Sequence, residues 1–347
     1  MNHDTPLSPV PLHHLADGSC PVLTTHQLRA HGVAPAEIAD RCRPGGPWQQ
    51  LLPGVHLLHQ GPPTSQERLH AALLYARYRG PSVPAQPRTP ETAREPMITG
   101  LAALALHGFA AAPPLLSLDR IEVLVARTRR LRSAGFARIV RGAELPVPQQ
   151  VTGVPTAPAA RALADAVAGL ADGAVVRRLL TEAVRGGHCE AAAVVRELTR
   201  ARLLTRPHVV DAVDALMAEG RALAEQRLYD AVRAYGLPEP VWNVDLRLPG
   251  GPYLGGVDAY WPEYAVAVEI DTRAPRPAAG DADDAGELCT APGDEHQDRL
   301  ERLGVIVVRC RPRTLREAPE QQATVIRTAL MAAADREPAA YLTVLPR

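Results

Sequence analysis

The sequence predicts a mixed α/β protein, α+β overall, built from an N-terminal helix, helix and hairpin unit, a helical middle and a C-terminal α/β unit. Three patterns predict it. Two capped helical runs precede a strand pair split by Pro53-Gly54. Ala/Val/Leu runs at helical spacing fill the middle, and β-branched strand runs separated by turn residues dominate the last third. The 347 residues allow two or three domains, placed at 20–60, 61–219 and 220–347.

Each element has a local reason. Leu23–Gly32 reads as a short helix with a Thr cap and a Gly stop, and Pro35–Arg43 as a second helix entered through proline. Trp48–Leu52 and Val55–His59 are the hairpin. Gln66–Tyr78 is an amphipathic helix, Gly80–Pro96 a Pro-rich linker, and Gly100–His107 a small Ala/Leu helix. Ile121–Ala126 and Ala137–Arg141 are a small strand pair, read as a hairpin around an arginine-rich turn. Helices follow at Thr156–Leu170, Gly173–Arg185, Glu190–Arg202, Pro207–Ala218 and Leu223–Tyr235. Strands at Val241–Leu248, Tyr253–Tyr260 and Tyr264–Ile270 form a meander. A loop at Thr272–Gly293, a helix at Asp294–Leu303, a strand at Val305–Arg309 and a helix at Pro319–Ala334 complete the chain.

Composition excludes several function classes. Lys+Arg and Asp+Glu each number 38, so a globally basic nucleic-acid binder is excluded and any basic face is local. There is no lysine anywhere, which rules out a P-loop. With 2 Phe and 3 Trp beside 34 Pro and 26 Gly, the core is built from Ala, Val and Leu. The 5 cysteines form no C-x-x-C pair, which argues for a reducing cytoplasm and against a Cys₄ zinc site. The spacing of Cys20, His26, His31 and Cys42 matches no zinc pattern. No apolar run reaches membrane-spanning length and the start lacks a signal-peptide pattern, so the expectation is a cytoplasmic protein without a membrane partner.

The chemistry concentrates in the last third. A turn at Trp261–Tyr264 would pair Tyr260 with Ala265 and Asp258 with Ala267, placing Asp258 on one face with Glu269 and Asp271. Asp258 and Glu269 are then diagonal neighbours, Cβ atoms roughly 7–8 Å apart, with Val257, Val266, Val268 and Ile270 turned into a core. Such a pair can bracket Mg²⁺, which polarises a phosphodiester and activates water. The same acids also suit a solvated strand face. Glu225, on the preceding helix, is a candidate fourth carboxylate.

Val257-Asp258-Ala259-Tyr260-Trp261-Pro262-Glu263 followed by Val266-Ala267-Val268-Glu269-Ile270-Asp271 resembles the core of very short patch repair-like, PD-(D/E)xK nuclease-fold domains found in many actinobacterial proteins. Glu225, Gly236–Pro240 and Asn243 resemble that domain's helix and first strand, and Leu300–Arg309 its later helix and strand. Leu23–Leu58 resembles the winged helix of the AbiEi-like antitoxin family, and Thr156–Asp165 a segment lying between the two parts in such proteins. The resemblance implies Asp258 and Glu269 as Mg²⁺ ligands, Glu225 as the helical acid, and Asp271 at the position where the superfamily carries a lysine. Aspartate cannot supply that positive charge. Arg273 can only stabilise charge, whereas His296 has the chemistry to take a proton. The acids Asp281, Asp283, Asp284, Glu287, Asp294 and Glu295 would repel DNA if folded over the site.

In a winged helix the second helix enters the major groove. That makes Arg41 and Arg43 the readers and Arg29 a phosphate contact, with Arg129, Arg130 and Arg132 adding nonspecific phosphate contacts. Two functions stay open at this level: Mg²⁺-dependent DNA hydrolysis, and a non-catalytic AbiEi-like regulator or antitoxin with a degenerate nuclease fold. DNA is the expected partner in both, with a cognate toxin or another protein in the second. A pure protein-interaction scaffold is a third reading.

Overall fold

The computed structural model describes residues 21–77, 95–272, 292–334 and 341–347, with 292–295 as backbone only, and shows a mixed α/β architecture with three sheets. The chain divides into two units, one of residues 1–183 and 197–212, the other of 184–196 and 213–347. Cys20, Arg273, Asp281, Asp283, Asp284, Glu287, the side chains of Asp294 and Glu295, and most of the Gly80–Pro96 linker lie outside the described residues.

In the first unit β1 (Val22–Thr24) runs straight into α1 (Thr25–Ala30), followed by α2 (Pro35–Arg41), β2 (Gln49–Leu52) and β3 (Val55–Leu57). Thr24 sets the start of α1. Its hydroxyl accepts the Gln27 N–H at 3.2 Å while Gln27 Oε1 accepts the Thr24 N–H at 2.8 Å, a reciprocal capping box. Leu23 and Thr24, expected in the helix, pair instead with His56 and Val55 to make β1 a strand of a three-stranded sheet in the order β1-β3-β2. Leu28, Val33, Ile38 and Trp48 bury one another and fix both helices to the hairpin.

The middle of the chain is not purely helical. After α3 (Ser65–Arg77) come β4 (Met97–Thr99), α4 (Gly100–Leu106), β5 (Ile121–Ala126), β6 (Ala137–Gly142), β7 (Gln149–Val151), β8 (Val154–Thr156) and α5 (Ala159–Gly169). The strands form a five-stranded sheet, β6-β5-β4-β8-β7. Thr156, expected to begin a helix, ends β8. β5 and β6 pair in parallel, Ile121 with Ala137 through Ala126 with Gly142, so the expected arginine-rich hairpin is a return crossover instead. The end of α3 holds that crossover. Tyr75 Oη donates to the Arg132 carbonyl at 2.8 Å, and the Arg129 guanidinium donates to the carbonyls of Ala76 and Arg77.

Then follow α6 (Gly173–Arg185), α7 (Ala191–Arg200) and α8 (Pro207–Ala234). The two helices expected at Pro207–Ala218 and Leu223–Tyr235 are one 28-residue helix that runs through Gly220. A Cβ at Gly220 would lie 3.0 Å from the Ala191 Cβ, so this glycine permits close packing.

The second unit adds β9 (Val241–Arg247), β10 (Tyr253–Trp261), β11 (Val266–Ile270), α9 (Pro292–Arg302), β12 (Ile306–Cys310), α10 (Pro312–Glu317), α11 (Pro319–Ala334) and β13 (Thr343–Pro346). The sheet order is β12-β11-β10-β9-β13, with β11 and β12 parallel across the α9 crossover and the other pairs antiparallel. One face packs on Ala224, Leu228 and Val232 of α8, Leu315 of α10, and Ala323, Ile326 and Leu330 of α11. The other packs on Leu300 of α9. α10 and β13 were not among the expected elements. Pro312 opens a helix, where its missing N–H has no cost.

The candidate carboxylate site

The β10–β11 register differs from the expected one by two residues. Tyr260 pairs with Ala267 and Ala259 with Val268, which sets Asp258 directly opposite Glu269 instead of diagonal to it. The turn keeps four residues but lies one position further on, at 262–265, where Ala265 adopts φ +46°. A shift of two leaves Asp258 and Glu269 at facing register positions on adjacent strands.

Alternation nevertheless breaks at Asp258. Ala259 packs with Val268 and Ile270 beneath α8, but Val257, expected on that face, packs with Val244 and Leu300 on the other. The cause sits on the neighbouring strand. Asn243 has φ +50° and stands in register opposite Asp258, between the pairs Val244–Val257 and Trp242–Ala259. A left-handed residue inside a ladder flips the pleat, and Asn tolerates that conformation better than most residues.

Asp258 is 5% exposed and its two oxygens are both engaged. Oδ2 accepts the Ile270 N–H at 2.6 Å, and Oδ1 accepts from the Arg221 guanidinium. Arg221 lies on α8 one turn before Glu225, whose Oε1 accepts from Arg221 Nε at 2.8 Å. Arg221 therefore bridges Glu225 and Asp258.

Glu269 meets a different partner. His296 Nδ1 donates to the Leu254 carbonyl at 2.7 Å, which orients the ring, and Nε2 lies 2.8 Å from Glu269 Oε1. Both atoms are buried and neither makes a hydrogen bond of good geometry. The ring occupies the space over Gly255, where a Cβ would lie 1.8 Å from His296 Cε1. Burial pushes the Glu269 carboxyl above the ordinary range, and Asp258 adds to that. His296 and Arg309, which stands beside Glu269 in the β11–β12 register, pull it down. Asp271 follows β11, and its N–H donates to the Cys310 carbonyl at 2.9 Å.

Around β10 and β11 the structure thus links Glu225 and Asp258 through Arg221 on the α8 side and sets Glu269 beside His296 of α9, with Asp271 just beyond the strand end. Sequence reasoning gave no site role to Arg221, Asn243, Gly255 or Arg309. Only Arg221 had a readable signal, its i,i+4 spacing to Glu225. As placed, these residues do not fit Mg²⁺. The ion needs free carboxylate oxygens at about 2.1 Å, whereas Asp258 has given one oxygen to a guanidinium and the other to a backbone N–H. Among the described residues no three His, Cys, Asp or Glu side chains converge on one point.

The arginines expected at DNA all fall in the first unit. Arg29 is exposed at the last turn of α1. Arg41 pairs with Glu37 at 2.5 Å and stacks 4.6 Å from the Trp48 ring centre, and Arg43 pairs with Asp40 at 2.8 Å. Arg129 is committed to the carbonyls at the end of α3, while Arg130 and Arg132 are exposed. Among the described residues no helix is long and apolar enough to cross a membrane. No protein-family model matches the chain, and no curated protein matches it significantly.

Proposed function

We propose that this chain is a DNA-binding regulator of the AbiEi-like, winged-helix type, whose C-terminal nuclease-like α/β unit works without catalysis. The observation that carries the non-catalytic part is the saturation of Asp258 by Arg221 and the Ile270 N–H. DNA binding is supported by the α1–α2–hairpin order, closed on its own core, with Arg29 exposed beside it and Arg130 and Arg132 exposed on the crossover. The second reading, Mg²⁺-dependent hydrolysis of DNA, draws on one observation, the direct opposition of Asp258 and Glu269 on adjacent strands.

A gel-shift titration on linear duplexes, run beside plasmid incubations with Mg²⁺, Mn²⁺ or a chelator, separates the readings. The expected result is retardation that needs no metal, plasmid that stays intact, and neither result altered by Asp258→Asn. Metal-dependent cleavage that disappears in Asp258→Asn would establish the hydrolytic reading. Absence of retardation even at low salt would sink DNA binding and turn the search to a protein partner such as a cognate toxin.

A further inference from the structure

We infer that the Arg221 guanidinium is the resident counter-ion of this carboxylate cluster, standing in place of a divalent cation, and that its removal opens a divalent-cation site. The inference rests on the non-catalytic reading and assigns to one residue the reason for it. A carboxylate as buried as Asp258 must be neutralised or hydrogen-bonded, because an isolated charge is costly to remove from water. Arg221 meets that need from α8, through the contact with Asp258 Oδ1 and the 2.8 Å bond from Nε to Glu225 Oε1. Its fork-shaped donor array suits two separate carboxylates, and a guanidinium cannot give up its proton in a protein, so the positive charge is permanent.

That permanence excludes a second cation. A divalent ion would have to approach the Asp258 oxygen now facing the guanidinium and would meet its charge at contact distance. Without the guanidinium, Glu225 and Asp258 lose their shared counter-ion. Carboxylates left in that condition either take up protons or bind a hard cation. His296 does not compensate for Arg221, since its contact is with Glu269 Oε1.

The test uses the full chain and Mn²⁺ as probe, following both ion uptake by titration calorimetry and the midpoint of thermal unfolding. Wild type is expected to take up no Mn²⁺ and to show no shift of midpoint. Arg221→Gln should unfold several degrees lower, bind Mn²⁺ saturably, and regain part of the loss when the ion is added. Arg221→Lys, which keeps the charge, should remain metal-blind. Adding Asp258→Asn to Arg221→Gln should abolish Mn²⁺ uptake and recover stability relative to the single variant. A folded Arg221→Gln protein that ignores Mn²⁺ overturns the inference, as does wild-type uptake that Asp258→Asn removes. Should Arg221→Gln fail to fold, the double variant decides: a folded double supports the counter-ion role, and an unfolded one overturns it. Plasmid cleavage by wild type is read separately and would refute the non-catalytic reading itself.

Discussion

At the scale of single residues the most consequential group outside the carboxylate site is Glu122, on the sheet of the first unit. Burial pushes its carboxyl up to about 7, Arg138 at 3.2 Å pulls it down, and Asp165 adds a smaller push upward. Asp165 is itself held by Arg161 at 3.0 Å and by the Thr99 hydroxyl at 2.5 Å. Gly100, at φ +63°, leaves room for the carboxylate, since a Cβ there would lie 1.6 Å from Glu122 Oε2. An acid whose pKa is higher in the folded state holds its proton more tightly there than in the unfolded chain. Its contribution to stability is therefore greatest below the unfolded value near 4.5 and declines as pH rises to about 7, by up to about 3 kcal/mol. Glu122→Gln should flatten that decline and leave the protein more stable than wild type in mildly alkaline buffer. Urea unfolding on either side of the window checks this. A wild-type stability that rises across it would refute the assignment.

At the scale of elements, α8 carries a conflict between propensity and packing. A glycine inside a long helix costs roughly 1 kcal/mol relative to alanine, so Gly220→Ala would ordinarily stabilise. Here the new methyl would sit 3.0 Å from the Ala191 Cβ, tighter than ordinary contact. Gly220→Ala is expected to gain nothing or to lose stability, while Gly220→Ala combined with Ala191→Gly should recover the helical gain of about 1 kcal/mol. A double-mutant cycle in urea measures the coupling, and strict additivity would show that the contact exerts no strain. The same glycine explains why two helices were expected where one exists. Local pattern at Gly220 suggests a stop, but the packing of the surrounding helices decides. The parallel pairing of β5 and β6 likewise depends on contacts from α3, some fifty residues earlier in the chain, which no local window contains.

At the scale of the whole molecule, balanced charge limits how DNA can be held. With Lys+Arg and Asp+Glu both at 38, net charge supplies no long-range attraction, so the proposed DNA binding would draw its affinity from a local set of arginines. Arg41, Arg43 and Arg129 are already engaged within the protein, which leaves Arg29, Arg130 and Arg132 as the exposed members of the expected set. Retardation should therefore weaken steeply with salt, and each of Arg29→Ala, Arg130→Ala and Arg132→Ala should lower the slope of log affinity against log salt by about 1. Arg43→Ala should change it less. Filter binding across a salt series gives the slopes. Equal effects for all four would mean that the internal ion pairs dissolve on binding.

The sequence by itself determined the mixed α/β class, the helix, helix and hairpin order, the strand meander, and the placing of Asp258 and Glu269 on adjacent strands. Each of these depends on periodicity, cap residues or side-chain parity, which are properties of neighbouring residues. Tertiary structure alone decided the state of the carboxylates. Arg221 reaches Asp258 from a helix 37 positions earlier in the chain, Asn243 flips the pleat opposite Asp258 from another strand, and Glu269 meets the imidazole of His296 from a helix later in the chain. Charge neutralisation acts through space at a few ångströms, and distance along the chain carries no record of which charges will meet.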